Sequence, residues 1–251
     1  MRDVVEFAAA SARALSGSFW RVVEGQHVVA TRRLVDSVDE HVILEDLIET
    51  AKPPLPAGAE FRGLHYLLST PFRYPPLAHG SRFATRNERS ILYGAHTLRT
   101  AFAETAYYRL LFLEASRATL APLDADLSSF HAPYRTRKGV DLTRSPFRAH
   151  RDRISSPNRY DMPQALGASM RAAGIEAFRY VSARDDRGGV GVGLFTPRAC
   201  ASKRPGALQV WRCIASGDGV EMRRSDLLRP ETFVFPRAQF LVRGRLPHPA
   251  L

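Results

Sequence analysis

"GSRFATRNERSILYGAHTLRTAFAE", residues 80–104, continued by "TAYYRLLFLEAS" to residue 116, carries the pattern on which the fold turns. Its middle, "SILYGA" (90–95), is short, branched and aromatic and bounded by Ser and Gly, so it reads as a strand. From Thr97 onward the run "TLRTAFAETAYYRLLFLEAS" reads as a helix with Thr97 as its N-cap. On that helix Glu104 shares a face with Ala101, Tyr108 and Leu111, and Leu98, Phe102 and Phe112 lie on adjoining rows. The apolar surface therefore wraps most of the cylinder, and a carboxylate within it must reach water, a partner or a ligand. On spacing alone the simplest reading is a narrow solvated stripe of Thr100, Glu104 and Arg109. Yet Arg82, Tyr93 and Glu104 stand eleven residues apart, one each on a loop, a strand and a helix.

Outward from this stretch, "HYLLS", "EAFRYVS", "VGVGLF" and "LQVWRCIA" also read as strands, and "MPQALGASMRAAG" as a helix closed by Gly174. "IASGDGVEMRR" places a Gly-Asp-Gly turn between extended halves and is a hairpin candidate. Residues 1–50 read as helical: "VVEFAAASARAL" runs to a stop at Ser16-Gly17, and Leu34, Val38, Val42, Leu44 and Leu47 recur at mostly three- and four-residue intervals. "AKPPLPAGAE" then breaks any helix with its prolines. The organisation expected is an N-terminal helical arm, 1–55, packed on a main body, 56–251. Because strands and helices do not alternate regularly, an α+β layer fold fits better than a doubly wound parallel sheet.

The 251 residues are 45% apolar and 24% charged, which is ordinary for a globular protein. The longest apolar runs fall far short of the roughly 18 residues of a membrane span, and Met1–Trp20 is broken by Arg2, Asp3, Glu6 and Arg13, so a cytoplasmic protein without membrane attachment is expected. Cys200 and Cys213 have no CxxC spacing, and the eight histidines form no HxxxH or HExxH pair, so no metal site is expected. The net charge is +11, and only three of the 36 basic residues (Lys52, Lys138, Lys203) are lysine. Such a surface suits a polyanion, a phosphate-bearing substrate or an acidic partner. No block of consecutive basic residues appears and aromatics do not interleave with them, which argues against direct nucleic-acid binding.

Single residues carry weaker signals. Arg73 in "TPFRYPP" and Arg82 in "GSRF" each follow a loop-like turn, where an arginine fork could grip phosphate, although most arginines of so basic a chain lie on the surface. Ser182 ends a strand ahead of a Gly188-Gly189 turn, a place where serines commonly satisfy local backbone. The glycine-rich run lacks GxGxxG spacing and a following helix, and Ser182 is in no GxSxG elbow.

Taken in order, "TPFRYPP…GSRF…ILYGAHTLRTAFAETAYYR…GIEAFRYVSARD…GGVGVGLFTP" resembles the RES-domain family, over roughly residues 20–228 and most densely at 71–109 and 174–197. The resemblance implies an ADP-ribosyltransferase-like split β-sheet core with flanking helices. It also implies a bacterial toxin of a toxin–antitoxin pair, which consumes NAD⁺ by hydrolysis or by phosphorolysis; in the alternative, ADP-ribose is transferred to a cellular protein. The implied partner is an antitoxin with an Xre-like helix-turn-helix part. Residue by residue, the family's first arginine falls on Arg73 with Tyr74 beside it, the next arginine on Arg82, the strand tyrosine on Tyr93, the helix glutamate on Glu104 and the serine on Ser182. Arg21 in "FWRVVE" is a rival for the first arginine, ranked below Arg73. Two departures stand out: Gly-Ser-Arg-Phe replaces Gly-Gly-Arg-Trp, and Gly189-Val190-Gly191-Val192 lacks the asparagine that often follows the glycines.

The chemistry implied by the resemblance suits these residues. Breaking the nicotinamide N-glycosidic bond leaves an oxocarbenium-like ribose that a carboxylate, Glu104, would stabilise. Arg73 and Arg82 would clamp the pyrophosphate, Tyr74 and Tyr93 would offer flat faces to the rings, and Ser182 would orient Glu104 or hold the ribose. NAD⁺ is then substrate, water or inorganic phosphate the acceptor, and no metal is required.

Overall fold

Thr97 caps the long helix: its Oγ1 accepts the Thr100 amide at 3.2 Å, and the helix, α4 below, runs Leu98–Ala115. The computed structural model describes residues 2–25, 36–74, 80–116, 122–226 and 228–248. In chain order the elements are α1 (Arg2–Ala10), β1 (Arg13–Glu24), α2 (Val38–Ala51), α3 (Tyr66–Ser69), β2 (Leu92–Ala95), α4, β3 (Leu123–Asp141), α5 (Arg151–Ile154), α6 (Asp161–Ala172), β4 (Ala177–Val181), β5 (Val190–Leu194), β6 (Gln209–Ala215), β7 (Gly219–Arg224) and β8 (Thr232–Pro236).

The architecture is α+β, with an eight-stranded sheet in the order β1-β2-β5-β4-β3-β6-β7-β8. β1 also pairs antiparallel with β3, from Glu24↔Leu127 to Arg13↔Gly139, so the five strands β1, β2, β5, β4 and β3 close on themselves. Only β3–β4 is parallel among the described pairings. Glycines make the β4–β5 seam possible. Gly191 stands opposite Tyr180 and Gly193 opposite Phe178, and a Cβ would lie 2.4 Å from the Tyr180 ring and 2.2 Å from the Phe178 ring. The rings thus lie flat across the strand where side chains would otherwise project.

Three apolar clusters hold the sheet and helices together. α4 packs Phe102, Ala106, Tyr107 and Leu110 onto Trp211, Met222 and Phe235 of β6–β8. α6 packs Leu166 and Met170 onto Phe83, Phe178 and Tyr180. Phe19, Leu92, Phe130 and Val192 fill the closed half of the sheet. Burying such side chains stabilises the fold by about 1.5–3 kcal/mol each.

Several elements match the sequence reading and several do not. The strands around "SILYGA", "EAFRYVS", "VGVGLF" and "LQVWRCIA", the β6–β7 hairpin and the 161–172 helix with Gly174 at φ 69° all form. "HYLLS" is not a strand. His65 caps it, accepting the Leu67 amide at 3.3 Å, and the chain turns as α3 into a 3-10 turn, Thr70–Phe72. The expected helical N-terminus is helical only in part: α1 ends at Ala10, and residues 13–24 form β1, a member of the sheet. Leu15 and Phe19 are its buried residues, and their four-residue spacing satisfies a helix and a strand equally well. Pairing with β3 along the whole length decides between them. α2 forms behind a capping box in which Ser37 Oγ accepts the Glu40 amide and Glu40 Oε2 accepts the Asp36 and Ser37 amides. Val42 and Leu47 are exposed on it, and Leu34 lies outside the described residues.

α6 approaches the 81–84 turn with no room to spare. A Cβ on Gly167 would stand 1.9 Å from the Phe83 carbonyl oxygen. Gly167→Ala is therefore expected to destabilise the protein by about 1–3 kcal/mol, the usual cost of overpacking. The check is the chemical-denaturation midpoint, and an unchanged midpoint would show that α6 can move away freely.

Candidate active site

A cleft of about 330 Å³ opens between β1, β2, α4 and the loop ahead of α6. α4 presents Ala101, Glu104, Thr105 and Tyr108 to it, the i, i+3, i+4, i+7 face of a helix. β1 presents Trp20, Arg21 and Val22, while Ser81, Arg82, Tyr93, Tyr160 and Tyr180 complete the wall. The solvated-stripe reading of the helix fails here. Thr100 is fully buried, with its Oγ1 donating to Asp185 Oδ2 at 2.7 Å, and Arg109 turns to Glu24.

Glu104 is held by Ser182. The Ser182 hydroxyl donates to Glu104 Oε1 at 2.5 Å, and its oxygen accepts the backbone amides of Arg184 at 3.1 Å and Asp185 at 3.2 Å. A hydroxyl has one proton and two acceptor sites. With both acceptor sites taken by N–H donors, the proton has to go to the carboxylate, so Glu104 is the acceptor in a charge-assisted bond. The turn carrying Ser182 is itself fastened to α4. Asp185 Oδ1 accepts the Arg187 amide at 3.1 Å, Oδ2 takes the Thr100 hydroxyl, and a Cβ on Gly189 would stand 2.0 Å from Thr100 Oγ1. Only glycine lets the turn lie this close to the helix.

Two cations line the cleft, and each is seated by groups that leave its charge uncancelled. Arg82, 6% exposed, donates to the Ser156 carbonyl at 2.7 Å and lies over the Tyr160 ring at 4.8 Å. Arg21 donates to the Tyr93 carbonyl at 2.6 Å, its Nε has no partner among the described residues, and burial pulls its pKa down to about 10, leaving it cationic at neutral pH. Tyr93 is fixed in turn, with its hydroxyl accepting the Phe83 amide at 3.1 Å and sharing a hydrogen bond with Ser81 Oγ at 2.9 Å. Burial pushes the Tyr93 phenol up to about 12, against the opposing pull of the Ser81 and Phe83 bonds and the Arg82 charge.

The structure therefore brings together four of the six residues singled out in the sequence. Glu104, Arg82 and Tyr93 line the cleft, and Ser182 stands directly behind Glu104. Arg73 and Tyr74 are not among the lining residues. Arg73 Nε donates to the Pro53 carbonyl, and Tyr74 is 41% exposed, with its carbonyl accepting Ser90 Oγ at 3.1 Å. Arg21, ranked second in the sequence, occupies the cleft wall because it sits on β1, which was read as helix. Tyr108, Tyr160 and Tyr180 were not anticipated as wall residues. Tyr108 lies one turn from Glu104 and could have been found from that spacing; Tyr160 has no local signal. Among the described residues no group of His, Cys, Asp and Glu could hold a metal ion.

Comparison with known proteins bears on this arrangement. The family model described as "RES domain" matches residues 56–216. No curated protein matches the sequence. Among solved structures, the crystal structure of the M. tuberculosis MbcT–MbcA toxin–antitoxin complex is similar at 13% identity and a TM-score of 0.44, covering 85% of this chain and 92% of that chain.

The seating of Tyr93 predicts a pH signature. Its folded pKa is raised, so the neutral phenol is favoured in the folded state and its stabilisation is complete below pH 10, the unfolded value. Between pH 10 and about 12 the unfolded chain ionises Tyr93 and the folded protein does not, so this stabilisation is lost as pH rises. The stability difference between wild type and Tyr93→Phe should shrink from pH 9 to pH 11.5 in urea titrations. A constant difference would place Tyr93 in an ordinary aqueous environment.

Proposed function

The chain belongs to the RES-domain family, and from that premise we propose that it is the toxin of a toxin–antitoxin pair that destroys NAD⁺ by cleaving the nicotinamide N-glycosidic bond. In this reading its sheet is an ADP-ribosyltransferase-like split core, and the protein works in the cytoplasm, where NAD⁺ is abundant. No described helix is long and apolar enough to cross a membrane.

The observation that carries the reading is the Ser182–Glu104 bond at the wall of a cleft whose other charges are Arg21 and Arg82. NAD⁺ brings a pyrophosphate, two flat rings and a positively charged glycosidic nitrogen. Arg21 and Arg82 match the pyrophosphate. Tyr93, Tyr108, Tyr160 and Tyr180 offer aromatic surface to the nicotinamide end. The C1″–N bond breaks with its electron pair going to the nicotinamide nitrogen, which leaves as a neutral molecule. Positive charge then builds on the ribose beside Glu104, whose carboxylate is pre-aimed by Ser182 and needs no reorganisation at that moment. Water or inorganic phosphate adds to C1″, giving ADP-ribose or ADP-ribose-1″-phosphate respectively, and a proton is released from the acceptor to solvent.

Such an activity has to be restrained in the producing cell. An Xre-like antitoxin is the partner this reading calls for, and a net charge of +11 favours rapid association with an acidic chain.

Purified protein incubated with NAD⁺, with and without inorganic phosphate, tests the proposal through its products. Loss of NAD⁺ with release of nicotinamide is expected, and the second product identifies the acceptor; label carried from NAD⁺ onto protein would instead mark ADP-ribosyl transfer. Glu104→Gln should slow the reaction by roughly 10²-fold or more. Ser182→Ala, which removes one charge-assisted hydrogen bond of about 1.5–3 kcal/mol, should lower kcat roughly 10- to 100-fold with little change in KM. Wild-type turnover by Glu104→Gln would sink the assignment.

A further inference from the structure

Arg184 is 3% exposed, yet among the described residues none of its three guanidinium nitrogens has a hydrogen-bond partner. Its guanidinium carbon lies 3.4 Å from the ring centroid of Tyr107. A buried guanidinium cannot shed its proton, and leaving it without a counter-ion is costly. An apolar side chain of similar length would pack on Tyr107 at lower cost, so packing alone does not account for an arginine.

Nearby groups do not neutralise it. Tyr107 is pushed up to about 12 by burial and stays protonated, its hydroxyl donating to the Pro247 carbonyl. Asp185, the next residue, has its carboxylate engaged by Thr100, the Arg187 amide and Arg99, the last at 3.7 Å. Glu104 is different. It lies three residues before Tyr107 on α4, hence on the same side of the helix. Tyr107 and Tyr108 both feel Arg184 and Glu104 with opposite sign. Arg184 is also tied to Glu104 through the backbone, since its amide is one of the two donors that force the Ser182 proton onto the carboxylate.

We propose that Arg184 is a positioning residue for Glu104: its charge, fixed on the Tyr107 ring behind the cleft wall, holds the Glu104 carboxylate against Ser182. The proposal rests on the reading of Glu104 as the carboxylate that serves the cleavage of NAD⁺. Tyr108, one turn on along the same helix, and Tyr160, Tyr180, Arg82 and Arg21 share the cleft lining with Glu104. The two cleft arginines are the natural partners of the pyrophosphate, so a bound dinucleotide draws on their charge. Arg184 lines no part of the cleft and keeps its charge for Glu104 whether or not the substrate is present. Its effect therefore falls on turnover of the bound complex.

The test compares Arg184→Met and Arg184→Lys in steady-state NAD⁺ cleavage by the full chain, with thermal melting alongside. The methionine variant should melt at or above the wild-type temperature while kcat falls about tenfold or more, KM staying within about twofold. Lysine, which restores the charge, should recover most of the turnover. Should the methionine variant melt lower, Arg184→Gln, polar and uncharged, replaces it, and the same contrast with lysine is expected. A methionine or glutamine variant within about twofold of wild-type kcat overturns the proposal, as does a lysine variant as slow as the uncharged one. Glu104→Gln run in parallel separates the two failures. If it retains activity, the reading of the site is wrong; if it is inactive while Arg184→Met is not, only the role of Arg184 falls.

Discussion

The Ser182 hydroxyl offers one proton and two acceptor sites, and each is assigned: two amides of its own turn on one side, Glu104 on the other. Much of the architecture around the cleft serves to make that assignment possible. The turn must follow β4 directly, so that Ser182 emerges at the end of that strand with its amide bonded to the Gly189 carbonyl at 2.8 Å. The turn must also touch α4, which requires Gly189 at the contact and the Thr100–Asp185 bond one helical turn before Glu104. α4 in turn must lie firmly on β6–β8, which Phe102, Ala106 and Leu110 ensure. A carboxylate held in this way has lost its rotamer freedom before any ligand arrives, and that is the condition under which a charge stabilises a transition state most effectively.

The second constraint is the economy of space in the β4–β5 seam. Gly191 and Gly193 allow Tyr180 and Phe178 to lie across the neighbouring strand, and Phe83 stacks against both rings at 4.9 and 4.6 Å. That stack fixes the 81–84 turn, which carries Arg82 and supplies the Phe83 amide to Tyr93. Strand glycines normally weaken a sheet. Here they exchange intrinsic strand preference for a rigid aromatic support under one wall of the cleft.

Much of this was legible in the residues. α4, its Thr97 cap, β2, β4, β5 and the Gly174 helix end all carry strong local signals, whereas Arg82, Tyr93, Glu104 and Ser182 are weak signals singly and stand out only through the order in which they resemble the RES-domain family. What could not be read was β1 and β3. In β1 the buried residues Leu15 and Phe19 are four apart, a spacing common to both periodicities, and the preceding alanine-rich run favoured helix. β3 is flanked by β1 and β6, so polar residues are buried within it: Ser128 and Ser129 are both inside, and Ser129 Oγ accepts the Trp211 indole N–H at 2.9 Å. Burial of that kind erases the alternation by which a strand is recognised. The place of Arg21 in the cleft wall follows from β1, a segment whose residues read as helical. Arg73 and Arg21 each sit beside an aromatic residue, and only the pairing Trp20↔Ala95, Arg21↔Phe130 turns Arg21 toward the cleft.

The positive charge of the chain is divided between two kinds of arginine. Some of those at the surface are matched to acids, as in Arg212–Asp124 at 2.5 Å and Arg237–Glu114 at 2.8 Å, pairs that add little to stability in water. Arg21, Arg82 and Arg184 have no ion-pair partner among the described residues; carbonyl oxygens and tyrosine rings seat them instead. A carbonyl or a ring face lowers the cost of burying a cation without cancelling its charge. Arg21 and Arg82 thus share the cleft wall with a single carboxylate, Glu104, and the surplus positive charge falls where an anionic ligand would enter. An acidic side chain placed against Arg21 or Arg82 would make the apo protein more comfortable and the cleft useless for a pyrophosphate. The choice of neutral partners for these arginines is therefore the clearest physical sign that their charge is reserved for something that binds.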